Sequence, residues 1–162
     1  MLLVPFLMVG ALTFPVHADN LVAKIKGQGT VDMVATADDT VYGVFAQGAL
    51  FVGNQFAIKG DVLADSSASG DATFLFGKEF SNPWGADVIT LTCQIETGTV
   101  GADGTIVLRG VSFEQDFVAD VVTFEELSPF EIVIGPGGAF TLRWCKLPTL
   151  DLQITKGRLK VQ

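Results

Sequence analysis

The chain has 162 residues, of which 49% are hydrophobic and 17% charged, so it can form one domain with a buried core and is too apolar to be disordered. Its net charge of −8 argues against a nucleic-acid partner, because phosphate binding needs a basic surface. The only histidine is His17, in a segment that we expect to be removed. Without it a Ser-His-Asp triad, a Cys-His pair and a histidine-bound metal are excluded, and we expect no metal ion or cofactor.

The first 18 residues have the pattern of a secretory signal peptide. A nearly continuous apolar run extends from Leu2 to Val16, and small residues occupy Val16 and Ala18, the −3 and −1 positions of a cleavage site. No Lys or Arg precedes the run, so an uncleaved anchor is the alternative, although about 15 residues are few for a span of roughly 20. We therefore expect a secreted protein, extracellular or periplasmic, whose mature domain, residues 19–162, does not span the membrane.

Apolar and polar residues alternate with a period of two through most of the mature domain. In the clearest run, Ile89, Leu91 and Cys93 share one face, while Thr90 and Thr92 share the other. This alternation is typical of half-buried strands. In chain order it predicts strands around residues 55–59, 73–76, 88–96, 140–145 and 150–155.

Turn signals separate these runs at intervals of about ten residues. They are Asp38-Asp39, Gly53-Asn54, Ser66 to Gly70, Asp103-Gly104 and Gly135 to Gly138. Residues 118–127 fit either a short helix or a strand. Many short strands at this spacing predict a single all-β domain, an antiparallel β-sandwich, with a closed antiparallel β-barrel as the alternative.

The two cysteines, Cys93 and Cys145, predict a disulfide if the protein is secreted. Their positions complicate the bond, because Cys93 lies on the apolar face of its strand and Cys145 lies opposite Trp144. A strand end near Cys145, favoured by Pro148, would allow the bond. Two buried free thiols are the alternative.

Basic residues collect near the C-terminus. Arg143, Lys156, Arg158 and Lys160 are candidates for binding an anionic ligand. The last three are spaced by two and therefore share one face of a terminal strand. On an edge strand, such side chains would instead prevent aggregation.

Trp84 and a pair of acids are the other candidate site residues. Trp84 lies in a predicted loop, where its flat face could contact a sugar or a protein partner, or could fold back over the core. We expect Trp144 in the core. Glu114 and Asp116 share a strand face about 7 Å apart, a separation within the range used by glycosidase carboxylates. Glu125-Glu126 is a further acid pair.

These features predict a non-catalytic secreted module that binds a glycan, a surface component or a protein partner. One alternative is a carboxylate-dependent polysaccharide hydrolase or lyase that uses Glu114 and Asp116. A second alternative, suggested by the phenylalanine-rich strand faces, is a β-barrel that binds an apolar ligand.

Overall fold

The computed structural model describes residues 20–162, in which eight strands each pair antiparallel with the next in sequence. The strands are β1 (Leu21–Ala35), β2 (Leu50–Leu63), β3 (Ser67–Phe76), β4 (Val88–Val100), β5 (Ile106–Val118), β6 (Val121–Ile134), β7 (Phe140–Trp144) and β8 (Leu150–Val161). A one-turn helix, α1 (Lys78–Ser81), and two 3-10 turns, Asn82–Trp84 and Pro136–Gly138, complete the elements. The expected signal peptide, residues 1–18, lies outside the described residues.

The sheet closes because β8 also pairs with β1, from Ile25 opposite Val161 to Ala35 opposite Leu150. The all-β prediction is confirmed, and the closed antiparallel barrel, given as the alternative, is the observed architecture. The β-sandwich is wrong, because β1 is paired along both of its edges and the sheet is continuous. No helix within residues 20–162 is long and apolar enough to cross a membrane.

The barrel interior is filled by side chains, as is usual for narrow eight-stranded barrels. Phe76 stacks on Trp144 with ring centroids 5.0 Å apart, and Phe80 of α1 lies 4.8 Å from Phe76. Trp144 is therefore in the core, as predicted. Burial of each large apolar side chain of this kind stabilises the fold by about 1.5–3 kcal/mol.

Glycines allow two strand pairs to approach closely. Gly157 on β8 has φ 99° and faces Gly29 on β1, and a Cβ added at Gly157 would lie 2.6 Å from the Gly29 Cα. Gly70 on β3 faces Gly60 on β2 in a similar way. Only glycine combines this backbone conformation with this proximity, and glycines at such positions let a sheet bend into a barrel.

Alternate connections lie at the same end of the barrel. Residues 36–49, 77–87, 119–120 and 145–149 form the four connections at one end. Residues 64–66, 101–105 and 135–139 form the three short connections at the other. We call the first end the rim end, because it carries the cavity described below.

Local predictions had mixed outcomes. The Asp103-Gly104 turn is confirmed between β4 and β5, and residues 118–127 are strand and hairpin rather than helix. The predicted Gly53-Asn54 turn is wrong, because both residues lie within β2. The Asn54 side chain there donates to the Phe51 carbonyl and accepts from the Gly77 N–H, both at 3.0 Å.

The predicted disulfide is also wrong, since Cys93 and Cys145 are both free. Cys93 is fully buried in the barrel interior on β4. Cys145 follows the end of β7 with a left-handed backbone, φ 53°, and its Sγ lies 3.3 Å from the Tyr42 hydroxyl. Cys93 lies along the middle of β4 and Cys145 lies at the rim end beyond β7, so the structure holds the two thiols in different parts of the barrel.

Candidate functional site: a cavity at the rim end

A cavity of about 470 Å³ opens at the rim end of the barrel. Three of the four connections there contribute to its wall, through Tyr42 before β2, Trp84 before β4 and Leu147 before β8, and the ends of β5 and β6 complete it. Trp144, at the top of the filled interior, also lines it. The cavity therefore lies above the aromatic core, not within it.

The inward face of β5 changes from apolar to polar as the strand approaches the rim. Ile106 and Leu108 are buried in the interior, whereas the following inward positions include Ser112, Glu114 and Asp116. Apolar residues of the same half of the strand point outward instead, and Val111 is 40% exposed. A barrel strand normally has the reverse pattern, and such local violations tend to occur at functional sites.

Strand β6 shows the same inversion. Ser128 is buried and accepts a hydrogen bond of 2.9 Å at its carbonyl from the Ser112 hydroxyl. Glu126 and Phe124 continue that face into the cavity, whereas Leu127 is 69% exposed on the other face. Two neighbouring strands thus both direct carboxyl groups inward at the rim.

Glu114 is held by the core tryptophan. The Nε1–H of Trp144 donates to Oε2 of Glu114 at 3.0 Å. Burial raises the pKa of Glu114; the Trp144 hydrogen bond opposes this rise, and the negative charges of Asp116 and Glu126 reinforce it. Burial also raises the pKa of Asp116, and a hydrogen bond with the Glu114 carboxyl group opposes this rise; the same bond adds to the rise at Glu114.

Asp116 lacks a partner for one of its oxygens. Its residue surface is only 6% exposed, and no donor within residues 20–162 reaches Oδ1. Leaving a buried carboxyl oxygen unpaired costs about 1–3 kcal/mol or more. A hydrogen-bond donor on a ligand would remove this cost.

Tyr42 and Cys145 form the part of the wall next to Glu126. The hydrogen bond between the Tyr42 hydroxyl and the Cys145 thiol, helped by burial, raises the pKa of Tyr42 to about 12. The Cys145 Sγ lies 3.9 Å from Oε2 of Glu126. This wall is therefore a neutral phenol and a thiol in contact with an acid.

Asp39 positions the loop that carries Tyr42. Its carboxylate accepts hydrogen bonds from the backbone N–H groups of Val41, Tyr42 and Val44 at 3.0–3.2 Å. Burial alone would raise the pKa of Asp39, but these bonds lower it on balance. The predicted Asp38-Asp39 turn is thus a loop built around one buried carboxylate.

Trp84 packs over the end of the core and also faces the cavity. Its ring packs on the core, 5.3 Å from the Phe80 ring and 6.3 Å from the Phe45 ring between centroids. It also lines the cavity together with Glu114 and Asp116. The structure therefore brings together the predicted loop tryptophan and the predicted acid pair.

The basic candidates lie elsewhere. Arg143 on β7 is 3.4 Å from Glu131, outside the cavity. Lys156, Arg158 and Lys160 are exposed on the half of β8 that leads away from the rim end. Within residues 20–162, β8 pairs with β7 only at Leu150 and Asp151, so the basic segment has β1 on one side and an open edge on the other.

Several cavity residues were missed by sequence reasoning. Tyr42, Phe124 and Cys145 reach the cavity from separate loops and strands, and no local pattern connects them. Glu126 was visible only as half of an acid pair. The alternation along β5 and β6 did contain a usable signal. Leu127 points outward and the acids point inward, the reverse of what is expected for strands that pack on a core.

Comparison with known proteins finds no matching family model, no significantly similar curated protein and no significantly similar solved structure. In the part of the chain that the structure describes, no three His, Cys, Asp or Glu side chains converge as a metal site. The cavity itself offers three carboxyl groups, several aromatic faces, one phenol and one thiol.

Proposed function

We propose that this protein is a non-catalytic binding protein that holds a small ligand with a flat apolar body in the rim cavity. The observation that carries the proposal is the cavity of about 470 Å³, walled by three connections and the ends of β5 and β6 at one end of a closed barrel. Its size lies within the roughly 300–1,000 Å³ of small-molecule sites, which are mostly apolar with a few polar groups.

The aromatic lining supports a flat ligand. Trp84 and Phe124 both face the cavity, and Phe124 is 46% exposed. Such rings bind aromatic rings, or the apolar faces of sugar rings, by stacking. Because the interior below is already filled, the ligand lies at the rim and remains in contact with solvent.

The placement of the acids favours binding over hydrolysis. Glu114 and Asp116 lie two residues apart on the same face of β5, and their carboxyl groups are hydrogen-bonded to each other. Glycosidase carboxyl groups instead flank the scissile bond, one on each side of it. The pair therefore suits hydrogen bonding to a ligand from one wall of the cavity.

Secretion is part of the proposal. It is supported by the apolar run from Leu2 to Val16 and by the small residues at Val16 and Ala18. Mass spectrometry of the protein exported by its own host is expected to give a chain that begins at Asp19. A membrane-bound chain that retains residues 1–18 would contradict it.

The two tryptophans provide a direct assay of binding. They are the only tryptophans in the chain, and both line the cavity. We expect the neutral dye N-phenyl-1-naphthylamine to bind saturably, with a rise in its emission and quenching of tryptophan emission. Trp84→Ala is expected to weaken dye binding about tenfold.

Val111→Ala is the matched control, because Val111 lies on the outward face of β5 away from the cavity. It should leave dye affinity unchanged. The absence of saturable binding, or equal affinities in the Trp84 and Val111 variants, would contradict the proposed site.

A further inference from the structure

The charged side chains that line the rim cavity are all acidic. Glu114, Asp116 and Glu126 line it, and within the described part of the chain no lysine or arginine does. Lys146, between the cavity residues Cys145 and Leu147, lines a separate groove with Arg109 and Arg143. The three acids therefore have no cationic side chain in the cavity to neutralise them.

The protein leaves one of these acids incompletely bonded. Trp144 donates to Glu114, but no donor within residues 20–162 reaches Oδ1 of Asp116, although the residue is more than nine-tenths buried. A hydrogen bond from a positively charged donor to a carboxylate is about twice as strong as one between neutral groups. A charged N–H donor on a ligand would supply what the chain does not.

The walls around these acids are aromatic. Trp84, Phe80, Phe124 and Tyr42 all line the same cavity. The negative face of an aromatic ring attracts a cation within about 6 Å of its centre, most strongly for tryptophan. Acids and aromatic faces in one site recognise organic ammonium groups through both effects.

We propose that the ligand of the rim cavity is an organic ammonium ion, a protonated primary or secondary amine attached to a flat apolar body. This inference rests on the proposed function. The ammonium N–H groups bond to Asp116 and to the neighbouring carboxyl groups, and the apolar body stacks against Trp84 and Phe124. The net charge of −8 also favours the approach of a cation.

Three probes of the same shape and different charge test this inference by titration calorimetry at neutral pH. They are 2-(1-naphthyl)ethylamine, 2-(1-naphthyl)ethanol and 1-naphthaleneacetate. The amine is expected to bind about tenfold more tightly than the alcohol, and the acetate more weakly than either. Equal affinities of the amine and the alcohol would overturn the proposal.

Three variants test which acids cause the preference for the amine over the alcohol. Asp116→Asn removes the charge with little change of shape and is expected to bring the amine close to the alcohol in affinity. Glu126→Gln, at an exposed position in the same cavity, should reduce the preference about threefold without affecting folding. Glu96→Gln is the matched control, because Glu96 is exposed on β4 outside the cavity.

The outcomes separate the two proposals. If the dye and the alcohol bind as well as the amine, the binding function stands and the cationic ligand is wrong. If neither the dye nor any naphthyl probe binds, both are wrong. If the amine preference survives Asp116→Asn and Glu126→Gln unchanged, the cation binds elsewhere and the inference is overturned.

Discussion

Trp144 serves two purposes at the boundary between the core and the cavity. Its ring stacks on Phe76 in the filled interior, and its Nε1–H holds Glu114 at the cavity floor. A phenylalanine at this position would keep much of the apolar contact and leave Glu114 without its donor. The identity of this core residue is therefore tied to the acid above it.

Glu114 makes stability depend on pH. Burial raises its pKa in the folded protein, so the folded state binds this proton more tightly than the unfolded chain. The free energy of unfolding therefore falls as the pH rises from the ordinary carboxyl pKa through the raised one. Glu114→Gln cannot ionise and still accepts from Trp144, so it is expected to equal the wild type in acid and exceed it at neutral pH.

Urea denaturation at a series of pH values measures this difference. Glu96→Gln, which changes an exposed acid outside the cavity, should follow the wild-type pH dependence. A Glu114→Gln curve parallel to that of the wild type across the whole pH range would show that Glu114 is not the group responsible.

At the scale of elements, the period-two pattern located the strands that pack a simple core. Ile89, Leu91, Cys93 and Ile95 are all buried on β4, as their alternation predicts. The pattern could not locate α1, because four residues are too few to show a helical period. It also could not show that the acids of β5 point inward. The apolar residues that alternate with them point outward, but in the sequence they look like the face of a strand that packs on the core.

The close approach of β1 and β8 predicts a costly substitution at Gly157. Its φ of 99° disfavours a side chain, and a Cβ would contact the Gln28 carbonyl and the Gly29 Cα. We expect Gly157→Ala to lower the free energy of unfolding by about 3 kcal/mol, from backbone strain and displacement of β1 together. Urea denaturation measures the loss.

Gly104→Ala separates the cost of backbone strain from the cost of displacing β1. Gly104, in the β4–β5 turn, also has a positive φ, 85°, but a Cβ there would meet nothing within 4 Å. Its expected loss is only about 1 kcal/mol, from conformation alone. Equal losses in the two variants would mean that the strand contact at Gly157 contributes nothing.

At the scale of the whole molecule, closure depends on strand pairing and not on a covalent cross-link. The sequence predicted the all-β class, but it could not decide between sandwich and barrel, because both have the same local alternation. The deciding contact joins β1 to β8, at opposite ends of the described chain. Likewise, Trp84 and the acid pair were singled out separately, and only closure brings them together.

The free cysteines make it possible to test that no disulfide contributes to the stability of the barrel. We expect the melting temperature to be the same with and without a reducing agent. Under native conditions a thiol-alkylating reagent should modify Cys145 and spare Cys93, which is fully buried and whose pKa burial raises to about 12. Both should react in denaturant, and a reductant-dependent melting temperature would contradict the observed free thiols.

The cavity draws its shape and its charge from different parts of the chain, with a consequence for how its specificity can evolve. Tyr42 and Trp84 belong to connections, which tolerate substitution and insertion, whereas Glu114, Asp116 and Glu126 belong to paired strands. Descendants of this chain can therefore exchange loops and acquire ligands of new shape while the barrel still folds. Their preference for a positively charged ligand would be retained, because changing it requires substitutions within the paired strands of the barrel.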